Sequence, residues 1–215
     1  MSATLTDTPA RSRKPRGQGQ ARRGEIIAAA KRLFVEEGFQ HATMRRIAAE
    51  VGVSPTALYV YFADKEAILS AIADEMFAEM LVCIQEVQDF EQPPLERLRA
   101  GLRAYVRFGL SRPDEYRLTF QAMPEVVAQI GRPEQAERSF AVLEQSVEEM
   151  MAAGLFRPGD PVLVGEAIWC ALHGVVAVLL GCDTKIASDP DQLIDAVIDM
   201  AIAGHATAAL PRAGN

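Results

Sequence analysis

Hydrophobic side chains recur every three or four positions along most of the chain, which is the period of an amphipathic α-helix. No stretch alternates hydrophobic and polar residues in the way of a half-buried strand. Proline and glycine clusters divide the periodic segments from one another. The pattern therefore predicts an all-α fold, with helices over residues 22–37, 64–89, 95–110, 113–120, 124–130, 133–153, 160–180 and 189–204.

Residues 43–62 contain the start and stop signals of two short helices joined by a tight turn. Thr43 can cap the first helix, and Gly52 stands where the chain must leave that helix in a left-handed conformation. Ser54 can cap the second helix, and Pro55 suits its first position. Leu58 lies four residues before Phe62, so both can pack on the first helix. This spacing is typical of a DNA-binding helix-turn-helix, whose second helix enters the major groove.

Residues 22–69 resemble the amino-terminal module of the TetR family of transcriptional regulators. The resemblance includes a first helix ending in Glu-Glu-Gly-Phe and the run Leu58-Tyr59-x-Tyr61-Phe62-x-x-Lys65-Glu66. It implies that Thr43, Tyr61 and Lys65 bind phosphates. It also implies that further residues face bases or the groove wall, namely Arg45, Ser54, Pro55, Thr56 and Tyr59. From the residues alone, Tyr59 could instead pack beside Leu58, and Lys65 could be a solvated lysine at a helix start.

Charge divides the chain into two parts. The formal net charge is −7, but residues 1–65 hold 11 Lys and Arg against 6 Asp and Glu, and the remainder holds 11 against 23. A basic amino-terminal part suits nucleic acid, and an acidic remainder stays away from it. We expect a disordered basic arm at 1–20, which either follows a DNA groove or is a solvated tail. The helix-turn-helix domain is then 21–66, and a ligand-binding and dimerisation domain is 67–215.

The inventory of reactive residues argues against an enzyme. The sequence has no Glu-x-x-His pair, Gly-rich phosphate loop, HExxH motif or nucleophile elbow, and its three histidines are scattered. We therefore expect no catalytic residue, metal or cofactor. The three cysteines form no CxxC pair, which fits a reducing cytoplasm. Cys170 and Cys182 lie in apolar helical surroundings, where a buried, inert thiol is expected.

The carboxy-terminal helices predict a homodimer. Residues 167–182 are apolar apart from His173, yet they are too short to span a bilayer comfortably. A helix that is apolar all round needs cover on every side, which implies a partner chain. The last helix adds an apolar stripe, with three aspartates on its opposite side. The family resemblance also implies dimerisation through these two helices. The predicted interface residues are Trp169, Val176, Leu180, Ile194, Ile198 and Ile202.

A ligand site is predicted in the same domain. The run Trp169-x-x-x-His173-Gly174 resembles the Trp/His/Gly signature of one subgroup of TetR-like regulatory domains. In that interpretation Trp169 supplies apolar area and His173 a hydrogen bond, whereas a core tryptophan and a satisfied core histidine are equally compatible. Methionines and aromatics suit an adaptable apolar cavity between helices. The candidate ligand-binding residues are Tyr105, Phe108, Phe120, Met123, Met150, Trp169 and His173.

These features together predict a dimeric, ligand-responsive transcriptional regulator. By the family's habit it is a repressor, released from a palindromic operator by a small, mainly hydrophobic effector. Ligand binding would move the long helix that starts near Asp64, so that the two recognition helices no longer match half-sites ~34 Å apart. The alternatives are a helical carrier or interaction adaptor that does not use its DNA module, and a constitutive DNA binder.

Overall fold

The computed structural model describes residues 16–120, 133–181 and 186–208. Its regular structure in these residues is helical, and the only strand-like feature there is an isolated bridge between Phe156 and Ala206. The all-α prediction is confirmed. The helices are α1 (Arg16–Glu36), α2 (Met44–Val51), α3 (Pro55–Leu58), α4 (Lys65–Glu86), α5 (Pro94–Ser111), α6 (Pro113–Phe120), α7 (Glu134–Ala152), α8 (Pro161–Gly181) and α9 (Pro190–Ala203).

Helix limits agree with the sequence pattern to within a few residues, with one larger difference. Helix α1 begins at Arg16, so residues 16–20 are helical rather than part of a disordered arm. The helix predicted at 124–130 and the candidate ligand residue Met123 lie outside the described residues, as do residues 1–15 and Cys182.

The chain forms two compact units, one ending at Lys65 and the other beginning at Glu66. In the first unit α2 packs on α1 and α3 packs on α2. Large apolar side chains from the three helices make its core, and Phe34 meets Phe39 edge-on at 4.9 Å between ring centroids. The fully buried members of this core are Ile26, Ala30, Ile47 and Leu58. Each helix contributes to this core, which holds the helix-turn-helix in place.

The second unit is built around α8, which packs on α5, α7 and α9. Its fully buried residues come from several helices and include Val106, Val147, Ile168 and Val176. Helix α8 is 21 residues long with a mean hydropathy of 2.0, so by length and composition it could span a bilayer, and 33% of its most apolar stretch is buried within the chain. Its packing on three helices is that of a core helix in a globular domain.

Within the single chain, one side of α8 is exposed, whereas the sequence predicted a helix that is covered on every side with the help of a partner chain. Leu163, Cys170 and Val178 are exposed on that side of α8. Cys170 is therefore not the buried thiol expected from its apolar surroundings, because those surroundings cover only the opposite side of the helix.

Four of the six residues predicted at the dimer interface lie in the core instead. They are Val176, Ile194, Ile198 and Ile202, and none exposes more than 3% of its surface. The prediction is wrong for them because α8 and α9 carry apolar residues on two sides, and periodicity does not tell which side faces the protomer's own core. Trp169 and Leu180 are half-buried.

Ion pairs join α9 to α5 along the side of α9 that holds its aspartates. Arg99 pairs with Asp199 and Arg103 with Asp195, the latter with a 3.0 Å bond from Nε, whereas Arg107 and Asp191 lie 4.0 Å apart. Exposure rises along this ladder, from a buried Arg99 to an exposed outer pair. The aspartates are thus a second packing surface of α9, opposite in chemistry to its isoleucine stripe.

Candidate DNA-binding surface and ligand cavity

Local hydrogen bonds form the helix-turn-helix as the sequence predicts. Thr43 has extended backbone angles, and its hydroxyl oxygen accepts a hydrogen bond from the Arg46 N–H at 3.2 Å. Gly52 ends α2 with φ 71° and ψ 34°, a conformation that costs a residue with a Cβ atom about 1 kcal/mol or more. The Ser54 side chain then accepts from the Ala57 N–H at 3.2 Å. Both caps and the turn are thus set by short-range chemistry.

The second helix of the motif is short. Helix α3 has four residues, after which Tyr61 and Phe62 donate their N–H groups to the Leu58 carbonyl in consecutive turns. Leu58 is fully buried and Phe62 nearly so, with the Arg23 guanidinium 4.8 Å above the Phe62 ring. The segment is therefore anchored by two inward side chains, and the residues between them point outward.

The outward face of this segment is the candidate DNA-binding surface, with Ser54, Pro55, Thr56, Tyr59 and Val60 exposed. Val60 exposes 80% of its surface and Tyr59 54%. An apolar side chain this open contacts no core, and it suits the thymine methyl groups and sugar edges of a groove. Tyr59 is thus open to solvent over about half of its surface, more than the alternative of packing beside Leu58 would lead one to expect. Tyr61 is half-buried at the edge of the surface.

Two neighbouring arginines of α2 differ in their partners. Arg46 forms ion pairs with Glu37 and Glu50, each at 3.2 Å. Arg45 and Thr43 are also exposed, and no acidic side chain within the described chain lies at ion-pair distance from Arg45. Arg45 is thus the cation of α2 whose charge remains available to a phosphate or a base.

Lys65 corrects the prediction of a phosphate contact. Its ammonium donates to the carbonyl oxygens of Phe39, Gln40 and Ala42, at 2.8, 3.3 and 3.5 Å, and lies 4.4 Å from the centroid of the Phe39 ring. An ammonium has three N–H donors, and here each has an acceptor within the protein. Lys65 is half-buried, and it is not a free cation, because its ammonium ties the start of α4 to the turn before α2.

The second unit contains a cavity of about 60 Å³. Tyr105 and Trp169 line it as predicted, but Phe108, Phe120, Met150 and His173 do not. Phe108 and Met150 are buried in the core, and Met123 lies outside the described residues. The lining is Phe77, Met80, Ile84, Gln88, Leu98, Gly101, Leu102, Tyr105, Ser139, Phe140, Val142, Leu143, Ser146, Trp169 and Leu172.

A chain of hydrogen bonds leads from the cavity wall into the core. Trp169 Nε1 donates to the Tyr105 hydroxyl at 3.1 Å. The Tyr105 hydroxyl lies 3.2 Å from the Tyr116 hydroxyl. The Tyr116 hydroxyl lies 2.5 Å from Nδ1 of His173. The bonds are all satisfied if Tyr105 donates to Tyr116 and Tyr116 donates to His173. His173 then carries its proton on Nε2. Of the two alternatives left open by the sequence, the geometry favours the satisfied core histidine, because Nδ1 of His173 accepts a hydrogen bond from Tyr116.

Burial shifts the acid–base properties of this chain. Desolvation raises the pKa of Tyr105 to about 12, and it also raises the pKa of Tyr116 above its ordinary value. Desolvation lowers the pKa of His173 below 6.5. All three groups are therefore neutral near pH 7, which agrees with a His173 that accepts from Tyr116.

The polar residues on the α7 wall of the cavity were missed from the sequence. Ser139, Leu143 and Ser146 are spaced four and three residues apart, and Phe140 lies three residues before Leu143, so the four share one helical face. Serines on the apolar face of a helix are the signal that could have identified this wall. No group of three His, Cys, Asp or Glu side chains that could hold a metal ion occurs within the described ranges.

The capped helix-turn-helix and the all-helical unit with its apolar cavity define a class of two-part helix-turn-helix proteins. A sequence model described as "Bacterial regulatory proteins, tetR family" matches residues 26–72, and one described as "Tetracyclin repressor-like, C-terminal domain" matches residues 98–201. The chain belongs to the TetR family.

Several known proteins are similar to this chain. The transcriptional repressor KstR2 of Mycobacterium tuberculosis is 27% identical over 150 residues, which are 66% of this chain and 72% of KstR2. The transcriptional activator FasR of Mycolicibacterium smegmatis is 30% identical over 123 residues, 55% of each chain. The crystal structure of a tetR-family regulatory protein from Rhodococcus RHA1 is 25% identical, with a TM-score of 0.65 over 87% of this chain and 98% of that one. This chain spans about half the length of the first curated relatives that it matches.

Proposed function

We propose that this protein is a DNA-binding transcriptional regulator that responds to a small molecule. The observation that carries the proposal is the outward face of residues 54–60, which has apolar and hydroxyl side chains, together with the exposed Arg45, which has no acidic partner among the described residues. Such a surface combines a phosphate contact with groups that distinguish base edges. The net charge of +5 on residues 1–65 supports the same role. We propose a cytoplasmic location, which a DNA-binding role in a bacterial cell requires.

We propose a homodimer formed through the exposed faces of α8 and α9. On α8 the exposed or small residues Leu163, Ala167, Cys170, Gly174 and Val178 follow one another at helical spacing. On α9 the matching exposed stripe is Gln192, Ala196, Met200 and Ala203, with Met200 62% exposed. Apolar surface of this extent is covered in most stable proteins. A dimer presents two helix-turn-helix units to the two half-sites of a palindromic operator.

The effector site in this proposal is the cavity, whose lining is mainly apolar. Phe77, Met80 and Ile84 of α4 form part of its wall. Helix α4 begins at Lys65, whose ammonium is bonded to the turn before α2. A ligand that favours a different position of α4 therefore shifts the population of helix-turn-helix conformations. Relatives include both repressors and an activator, and we propose repression with release on ligand binding.

Selection of duplexes from a random-sequence pool by the purified protein tests the DNA-binding function. We expect enriched sequences with two inverted half-sites separated by about one helical turn. The Arg45→Met variant, matched with Arg46→Met, separates a free cation from one paired within the protein. Loss of enrichment is expected only for Arg45→Met. A pool that stays random with the native protein would favour a helical carrier over a regulator.

A further inference from the structure

The polar groups on the cavity wall differ in how far their hydrogen-bonding capacity is used. Five side chains of the lining carry polar atoms, namely Gln88, Tyr105, Ser139, Ser146 and Trp169. None of the lining residues is charged. An ion that left water for this wall would meet no opposite charge, which costs several kcal/mol. The chemistry of the wall therefore selects a neutral molecule.

Four of these five side chains already use their hydrogen-bond donors within the protein. Trp169 donates to Tyr105, and Tyr105 is satisfied in the chain that leads to Tyr116. Ser139 donates to the Gln135 carbonyl at 2.8 Å, and Ser146 donates to the Val142 carbonyl at 2.9 Å. A ligand that needs a donor from any of them must first break an existing bond. What the serines still offer is an oxygen lone pair.

Gln88 is the exception. Its amide nitrogen reaches the Arg97 carbonyl at 3.5 Å, the outer limit of a hydrogen bond, and this is its one side-chain bond among the described residues. The amide oxygen and the second N–H are left over. Gln88 therefore retains an acceptor and a donor side by side at the edge of an apolar cavity.

Gly101 keeps the space in which this amide lies. A Cβ atom at position 101 would stand 3.0 Å from Nε2 of Gln88 and 3.7 Å from Cγ2 of Ile84. The first distance is shorter than an ordinary van der Waals contact, so an alanine would shift the amide of Gln88 by a few tenths of an ångström. A glycine in the interior of a helix costs about 1 kcal/mol relative to alanine, which makes this close approach its evident use.

We infer that Gln88, in the place that Gly101 leaves open, selects a neutral ligand with an apolar body and a hydroxyl group. The inference rests on the proposed function in that the cavity is its effector site. A hydroxyl donates to the amide oxygen and accepts from the remaining N–H, so it uses both free groups of Gln88. The lone pairs of Ser139 and Ser146 also accept from a donor. Carboxylates and phosphates bring a negative charge that no lining residue offsets, and a carboxylate has no donor for the amide oxygen of Gln88.

Small aromatic probes of nearly equal size test this assignment on the full-length protein. The probes are phenol, toluene, anisole and benzoate, and the emission of Trp169, the one tryptophan in the sequence, reports occupancy of the cavity that it lines. The measured quantity is the ratio of the dissociation constant of toluene to that of phenol. A neutral hydrogen bond contributes ~1 kcal/mol, so Gln88→Met should lower this ratio about fivefold.

Gln85→Met is the matched control, because it makes the same change on an exposed residue outside the cavity and should leave the ratio unchanged. Gly101→Ala should lower the ratio in the native background and have little effect in the Gln88→Met background, since both changes remove the same contact. This second variant keeps the test valid if Gln88→Met unfolds. Far-ultraviolet circular dichroism checks that each variant is folded.

An unchanged ratio in both Gln88→Met and Gly101→Ala would overturn the assignment. So would tightest binding of benzoate or anisole, or failure of all four probes to alter Trp169 emission. Failure of the regulatory function has a different signature: probes bind with the expected dependence on Gln88, yet DNA affinity is the same with and without them. The inference and the proposed function can therefore fail separately.

Discussion

Replacing Lys65 by methionine should destabilise the first unit without removing a DNA contact. Methionine keeps most of the apolar stem but has no ammonium to donate to the carbonyls of Phe39, Gln40 and Ala42. The 2.8 Å bond from a charged donor contributes ~1.5 kcal/mol after partial exposure is considered, and the ring contact with Phe39 adds ~0.5 kcal/mol. The two longer bonds are weak and are not counted. The expected decrease in stability is about 2 kcal/mol.

A decrease of about 2 kcal/mol in a unit of this size corresponds to a fall of about 10 °C in its melting temperature. Far-ultraviolet circular dichroism follows the melting of all helices, whereas Trp169 emission follows the second unit alone, because the sole tryptophan lies there. The early part of the dichroism transition should move to lower temperature. The emission transition should move much less.

The dependence of DNA affinity on salt separates a cation that binds a phosphate from a cation that stabilises the folded protein. Removing one cation that binds a phosphate lowers the slope of log affinity against log salt concentration by about 0.9. Arg45→Met should lower this slope and leave the melting temperature nearly unchanged, because no acidic partner of Arg45 exists in the described chain. Lys65→Met should do the opposite. A lower slope with an unchanged melting temperature for Lys65→Met would refute the structural role and restore the phosphate contact.

Three further outcomes follow from the second unit. Cys170→Glu or Met200→Glu should give monomers by light scattering and leave the helix content unchanged, because the charge falls on the proposed interface. Ile198→Ala, in the core, should instead lower stability by ~2–5 kcal/mol. A full dimer in both glutamate variants would place the interface elsewhere. Asp199→Ala should cost ~3 kcal/mol in urea unfolding, because it removes the ion-pair partner of the buried Arg99, and Asp191→Ala should cost almost nothing. Equal effects would contradict the gradient of exposure along the ladder. The melting temperature should fall as pH drops below about 6.5, because the pKa of His173 is lowered in the folded state and the unfolded chain then binds a proton that the folded chain does not. His173→Gln should flatten this dependence on pH. A dependence that stays unchanged would assign it to His205, whose pKa is also lowered.

The parts of the structure that the sequence predicted well depend on neighbours in the chain. The caps at Thr43 and Ser54 and the left-handed Gly52 are set within four residues, so the residue types alone are sufficient. Buried Leu58 and Phe62 follow from helical spacing in the same way. The family resemblance added the candidate DNA-binding residues, of which Thr43, Arg45, Ser54, Pro55, Thr56 and Tyr59 are exposed.

The predictions that failed concern contacts between residues that are far apart in the sequence. The isoleucines of α9 were assigned to a partner chain, because a periodic stripe does not tell one apolar environment from another. Lys65 lies 23 to 26 residues from its three acceptors, beyond any local pattern. The cavity was identified through Trp169 and Tyr105 but not through Gln88 or Gly101, because a space between four helices is a property of their assembly.

Helix α8 has two working faces, with Trp169 and Leu172 on the cavity wall and Cys170 and Gly174 on the exposed side. If the exposed side holds a second copy, occupancy of the cavity and pairing of chains act on one rigid element. Ligand affinity would then depend on how much protein the cell makes. A cell with few copies, and so more monomer, would answer to a different effector concentration from a cell with many. The level of expression would thus help to determine the effector concentration at which the regulator responds.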